Sequence, residues 1–440
     1  DMISVPTDFY YNGEDRTTEL TEAVAINGGV TICGQTFTVR GWSVTVSKTD
    51  DLHYTATYTN ESDNTKNFTK TITLQQSGTT LDGAVKTYKD GAECSDFTAD
   101  DTITVKATPT ATGEAPANSA MFAASFTGPG AGQMAVFVGD TQVSAPADKG
   151  ADGAYTMTVS AADVLVAAGG PGTGITLTAK FVGNGNMADG TGTATVNITA
   201  VARVEKDSTT SYVDKNGLNT VFAYNSGYED ATVTLLDDLT NTDYENLPKI
   251  DIRCTLNLNG HTIRSDLSSV PTLEVIANGN VTIAGSGEIV SNSDAALYVA
   301  GTAVLEGGTF CSGGTYHGAV EVVSSLSGNL SVTGENVVME NTGSGYGLLI
   351  YSLKSVKLSA GKYSGAAGAI SVSTDAFTLS SLLNQEGTSR VAYYKDNTTL
   401  VTEGLDGQAL PGGSYTVKAC NHTGEGVCEY TPNEGAETHA

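Results

Sequence analysis

Short runs of alternating apolar and polar residues fill most of the chain, broken by Gly, Asn and Asp. Alternation with a period of two predicts half-buried strands, and the breakers are residues that form tight turns. Between Ile3 and Leu74 the runs are Gln35–Arg40, Ser43–Val46, Tyr54–Tyr58 and Thr69–Leu74. They predict a small β-sandwich module over residues 1–74, with Trp42, the only tryptophan, anchoring its core. A second sandwich is expected over residues 75–203. Its strands include Thr102–Ala107, Met134–Val138, Tyr155–Val159, Ile175–Phe181 and Thr193–Ile198.

From about Val204 the pattern changes. Leu218, Val221 and Phe222 fall at helical spacing and predict one short helix. A unit of alternating strand, Gly or Asn turn, then a further apolar or aromatic residue follows, and it recurs. It begins at Thr255, Val281, Ala303, Leu330 and Val356, so the intervals are 26, 22, 27 and 26 residues. Secondary strands lie between, at Thr272–Ile276, Ala296–Val299, Ala319–Val323, Gly347–Tyr351 and Ala369–Val372. A near-constant period with two or three strands per repeat is the signature of a solenoid, because one coil cannot bury its own apolar face. An antiparallel sandwich would not hold that period, and the Leu and Asn framework of leucine-rich repeats is absent. The expectation is an all-β chain: two small sandwich modules, then a right-handed parallel β-helix with its end cap over residues 204–420, and a tail over 421–440. The short N-terminal helix would cover the open end of the stack, which otherwise presents unpaired strand edges.

Composition narrows the function classes. A length of 440 residues predicts roughly two to four domains. Hydrophobic residues at 39% suffice for real cores, while 16% charged residues and 51 Gly suit strands and turns over helix bundles. The formal net charge of -27 repels nucleic acid, anionic membranes and polyanionic sugars. No stretch approaches the ~18 apolar residues of a membrane span, so no membrane insertion is expected. An export signal or anchor would lie outside these residues. Six cysteines, at 33, 94, 254, 311, 420 and 428, are too few for a disulfide scaffold of this length. Cys254 and Cys311 fall in expected core strands and read as buried thiols.

Two family resemblances stand out. Ala135–Thr141 and Thr178–Ala188 resemble the strand-and-turn and the closing segment of bacterial immunoglobulin-like repeats. That family implies spacer or adhesive modules and supplies no catalytic residues. Leu256-Asn257-Leu258-Asn259-Gly260-His261-Thr262-Ile263 resembles the first coil of β-helix domains in large modular surface proteins of gut Firmicutes. There it follows a strand similar to Val233-Thr234-Leu235-Leu236-Asp237-Asp238. This resemblance spans most of residues 215–422. It implies an extracellular, cell-surface setting and says little about activity.

Chemistry is sparse in the sequence. A lyase needs a cationic base beside cation-binding carboxylates, and the β-helix offers few basic candidates, namely Arg253, Arg264, Lys354, Lys357 and Lys362. Glu288 and Glu306 stand in successive coils and are the candidate carboxylate pair for hydrolysis. The resemblance places His261 in a structural turn. Cys420, His422, Cys428 and His439 match no closed zinc site. Asp237, Asp238 and Asp243, and also Asp148, Asp152 and Asp163, are compatible with calcium but form no known calcium motif. No catalytic, metal or cofactor site is therefore assigned, and the ligand-binding residues are unknown. Tyr298, Tyr316, Tyr346, Tyr351 and Tyr363 are the aromatic candidates for stacking on sugars. The expected function is non-catalytic adhesion to, or recognition of, host glycans or host proteins. The alternatives are a carbohydrate-active enzyme using the β-helix face and a structural spacer.

Overall fold

The computed structural model describes residues 5–25, 30–32, 35–37, 41–117, 129–242, 248–323, 328–352, 354–383 and 391–419. The chain forms two compact units. One runs up to Ile198, and the other runs from Thr199 onward and also takes in Thr98–Asp100.

In the first unit, strands Trp42–Lys48, His53–Asn60 and Asp63–Thr73 form an antiparallel meander. Alternation puts Tyr54, Ala56 and Tyr58 on one face, fully buried with Leu20 and Val24 of a helix over Thr17–Val24. Trp42 joins this core through Phe68, at 5.5 Å between ring centroids, and Phe68 stacks on Tyr58 at 4.8 Å. The described residues expected to form a sandwich over 1–74 are thus one sheet with a helix on it, and Val30–Ile32 and Gln35–Phe37 pair as a separate hairpin. That helix escapes a periodicity reading because Leu20 and Val24 are its only large apolar residues.

Two larger antiparallel sheets follow, with a small one of Thr79–Thr80 and Thr110–Ala111. One is ordered Tyr155–Ser160, Thr102–Ala107, Lys86–Lys89, Ala92–Glu93. The other is ordered Thr141–Gln142, Met134–Val138, Gly172–Phe181, Gly190–Thr199, Asp96–Thr98. They meet through Tyr155 and Phe181, packed edge-on at 5.7 Å.

The second unit holds a parallel β-solenoid from residue 231 to residue 372, about five turns long. Three sheets run along it, each six parallel strands deep. The first contains Ala231–Leu235, Arg253–Asn257, Asn280–Ala284, Thr302–Leu305, Asn329–Val332 and Val356–Leu358. The second contains Leu239–Asn241, Thr262–Ser265, Glu288–Ser291, Thr309–Ser312, Val338–Asn341 and Lys362–Gly365. The third contains Lys249–Ile250, Leu273–Val275, Leu297–Val299, Gly318–Val322, Tyr346–Ile350 and Gly368–Val372. The expected period is the observed register: Val281, Ala303, Leu330 and Val356 align. In the first of these coils the aligned residue is Cys254, not Thr255, because the pleat turns Cys254 and Leu256 inward.

Like residues therefore stack on like. Val233, Leu256, Ile283, Leu305, Val332 and Leu358 form one interior column. Leu239, Ile263, Ile289, Phe310, Met339 and Tyr363 form another. A third interior column, Ser265, Ser291, Ser312 and Asn341, is polar and buried. Its side chains fasten the turn that follows: Ser312 Oγ accepts from Gly314 N–H at 3.0 Å, and Asn341 Oδ1 accepts from Gly345 N–H at 3.0 Å.

The expected helix is present at Lys215–Phe222, with Leu218, Val221 and Phe222 buried in the solenoid's own core. The Asp100 carboxylate holds its first turn, accepting from Asp214 N–H at 2.8 Å and Gly217 N–H at 2.7 Å. Anionic oxygens suit that terminus, whose first N–H groups lack intrahelical partners. The hairpin Ala202–Lys206/Thr209–Val213 adds antiparallel to Ala231–Leu235. At the far end Gly413–Ala419 adds antiparallel to Lys362–Gly365, and Ala409–Leu410 to Gly368–Val372.

Rung stacking leaves no room at some turns. A Cβ on Gly301 would collide with the Ile276 and Gly279 carbonyl oxygens of the preceding rung. Gly301→Ala is expected to destabilise the solenoid by about 1–3 kcal/mol through overpacking, and Ile283→Ala by about 2–5 kcal/mol through an interior cavity. Urea unfolding would measure both, and a neutral result for either would contradict this packing.

Candidate ligand site on the third sheet

The outward column of the third sheet reads Lys249, Glu274, Tyr298, Glu321, Leu349, Ser371. Neighbours in such a column are one strand spacing apart, ~4.8 Å. Lys249 Nζ pairs with Glu274 at 3.5 Å. Glu321 lies deeper, its side chain only 9% exposed. Its Oε1 accepts from Gly318 N–H at 2.9 Å and lies 3.0 Å from His317 Nδ1. The same nitrogen stands 3.5 Å from Asp294 Oδ1, on a side chain that is 10% exposed. Two buried carboxylates thus converge on one imidazole.

The turns hold these groups in place. Asp294 N–H donates to Ser291 Oγ at 3.1 Å, and its carbonyl accepts from Ser312 Oγ at 2.6 Å. Ala295 N–H donates to Asp294 Oδ1 at 2.6 Å. Burial raises the Glu321 pKa and Asp294 adds to the rise, against the opposing Gly318 hydrogen bond and His317. Burial also raises Tyr298, with Glu274, Glu321 and Asp294 contributing. Tyr351 is raised by burial and then by Glu321 and Tyr346. Glu321 is therefore within electrostatic reach of tyrosines on both sides. Tyr316, beside His317 in sequence, is 81% exposed.

Of the five tyrosines singled out from sequence, the fold puts Tyr298 in register beside Glu321, Tyr351 just past the strand paired to it, and Tyr346 opposite Gly318 at that strand's start. It excludes Tyr363, which is fully buried and donates its hydroxyl to the Ala360 carbonyl at 2.7 Å. The pleat decides this: Tyr363 continues the interior column of Phe310 and Met339. Asp294, His317 and Glu321 were not singled out at all. They form no linear motif, and only folding the sequence on its own period brings Tyr298 beside Glu321.

The other candidates disperse. Glu288 pairs in register with Thr309, while Glu306 sits in the preceding turn, so the expected carboxylate pair does not form. His261 occupies a turn, its N–H donating to the Leu258 carbonyl and its carbonyl accepting from Glu288 N–H. Its ring lies 3.4 Å from Asp238 Oδ1, which also accepts from Thr262 N–H. Asp148 accepts from Gln133 and Asp152 from Ala154 N–H. Asp237 accepts from Asp238 N–H, and Asp163 N–H donates to Ser160 Oγ at the start of a helix over Ala161–Ala168. Cys33, Asp243, Cys420, His422, Cys428 and His439 lie outside the described residues. Among the described residues no group of three or more His, Cys, Asp or Glu is arranged to hold a metal ion, and no helix is long and apolar enough to cross a membrane. A shallow cavity of about 370 Å³ in the first unit is lined by Lys86, Glu93, Cys94 and Thr195. Lys86 and Glu93 pair with each other there at 2.9 Å.

Cys254 is buried as expected, and burial pushes its thiol up to about 12. Cys311 is not a core residue. Phe310 takes the interior position, and Cys311 faces outward between Val290 and Glu340. No family model, curated protein or solved structure matches this chain.

Two expectations follow from these environments. Alkylation of the folded protein is expected to spare Cys254 while Cys311 reacts, with peptide mapping by mass spectrometry as the readout. Equal labelling of both would refute the burial difference. Glu321 has a raised pKa in the folded state, so its contribution to stability is fully present below the ordinary 4.5 and is lost as pH rises through the folded value. Wild type is therefore expected to lose stability relative to Glu321→Gln as pH climbs through that window in urea unfolding. The opposite slope would mean that His317 outweighs burial.

Proposed function

We propose that this is a non-catalytic bacterial protein, secreted or displayed on the cell surface, that recognises a glycan along the third sheet of its solenoid. In this reading the two-sheet module is an immunoglobulin-like unit, the solenoid is right-handed, and the helix Lys215–Phe222 caps it. The carrying observation is that Tyr298 stands in register beside a buried, hydrogen-bonded Glu321, with Tyr351 just past the strand paired to it on the next rung. Aromatic faces stack on the apolar faces of sugar rings, and carboxylates accept hydrogen bonds from their hydroxyls. A net charge of -27 favours neutral or cationic glycans over uronates and sulfated chains. The surface setting is supported by the motif resemblance of residues 256–263 and by the acidic, strand-rich composition.

The paired carboxylates Asp294 and Glu321 invite a hydrolytic reading, since one of them has a raised pKa. Glycoside hydrolysis needs an open gap between the two carboxyls for the scissile bond and, in inverting enzymes, a water. Here the His317 imidazole lies within 3.5 Å of both and fills that gap. Recognition is the better account.

A glycan array followed by isothermal titration with the ligands found would test this. Tyr298→Ala and Tyr351→Ala are each expected to weaken binding by about tenfold, a loss of roughly 1.4 kcal/mol. Release of reducing ends or unsaturated products would establish the enzyme instead. A chain that binds no glycan or host protein would stand as a spacer.

A further inference from the structure

The charges that face Glu321 are unbalanced. Asp294 and Glu321 are both about nine-tenths buried, and Glu274 stands two positions along the same outward column. Lys249 is committed to Glu274, and among the described residues His317, with one nitrogen between two carboxylates, is the sole basic partner of Asp294 and Glu321. Buried carboxylates are costly unless paired. Among the described residues, the side-chain hydrogen bonds to Glu321 all fall on Oε1 and those to Asp294 on Oδ1, which leaves Oε2 and Oδ2 to accept from a ligand. Tyr298 stands in register beside Glu321 on the preceding rung, and Tyr351, whose N–H donates to the Val322 carbonyl, follows the strand paired to it on the next. Desolvated carboxylates flanked by aromatic rings form the chemistry that selects an ammonium group, through charge pairing and cation–π attraction together.

Resting on the glycan reading above, we infer that the ligand carries a protonated amine, as a glucosamine unit with a free amino group does. The ammonium sits against Glu321 Oε2 and Asp294 Oδ2, and the sugar ring lies on the tyrosines. An N-acetylated sugar of the same linkage keeps the ring but loses the charge, and it leaves the two carboxylates uncompensated.

The test is titration calorimetry of the full chain, at a mildly acidic pH and fixed ionic strength, with a glucosamine oligosaccharide and its N-acetylated counterpart. The amino form is expected to bind at least about tenfold more tightly. Glu321→Gln is expected to remove most of that preference. Glu306→Gln, which deletes the same charge in a turn beside the first sheet, is expected to keep it and so controls for general attraction to an acidic protein. Tyr351→Ala, at a partly exposed position, should weaken both forms and covers the case in which Glu321→Gln fails to fold. Equal binding of the two forms, or an amino preference unchanged in Glu321→Gln, would overturn the ammonium site while leaving glycan recognition standing. Failure of these and all neutral oligosaccharides to bind would overturn both.

Discussion

A parallel strand in the solenoid has no hydrogen-bonding partner except the strands one rung before and one rung after it. Because each rung is short, its apolar residues cannot bury one another, and they pack on the same positions of the next rung at ~4.8 Å. That constraint explains the interior columns, in which Val233, Leu256, Ile283, Leu305, Val332 and Leu358 succeed one another without a polar interruption. It also explains why Gly301 admits no side chain, since the carbonyls of the preceding rung occupy the space. The serines at 265, 291 and 312 and Asn341 satisfy the complementary demand. A buried turn must find donors and acceptors locally, and these short side chains provide them.

The same stacking acts on the outward columns, where it creates chemistry. Residues 23 or 24 positions apart in sequence, such as Glu274, Tyr298 and Glu321, become nearest neighbours. Like charges directly opposite each other are destabilising, and the tyrosine between these two glutamates separates them by two strand spacings. Asp294 is then brought toward Glu321 by the turns on either side, and His317 lies between the two carboxylates. The outward columns thus bring two buried carboxylates and one imidazole together, with Tyr298 in register beside Glu321.

These relations set what could be read in the sequence. The solenoid was legible because its period is written into the chain, and the strand boundaries from Val281 to Val372 follow it. The face of a given residue was less legible, because a shift of one position inverts inward and outward. Tyr363 and Cys311 illustrate this: each lies in a correctly placed strand, yet the first is interior and the second is not. The helix Thr17–Val24 was hidden because two apolar residues carry its buried face, and tertiary contact with Tyr54 and Tyr58 does the rest. The Asp294, His317 and Glu321 constellation was invisible because its members belong to two different rungs.

The ends of the stack show the constraint from the other side. An uncovered terminal rung would offer free backbone groups to any further strand, including one from a second copy. At the N-terminal end the first sheet is met by a hairpin whose strands run antiparallel, and Leu218, Val221 and Phe222 add their apolar face to the core beside it. At the C-terminal end each sheet is handled separately. The second continues into Gly413–Ala419 and Val391–Lys395, the third into Ala409–Leu410, and the helix Leu379–Leu383 packs against the last strand of the first. Antiparallel strands cannot propagate the coil, because their register does not return the chain to the same position one rung later. The closing strands therefore bury the last apolar layer and end the repeat in one step, so the length of the solenoid is set by where the chain changes direction.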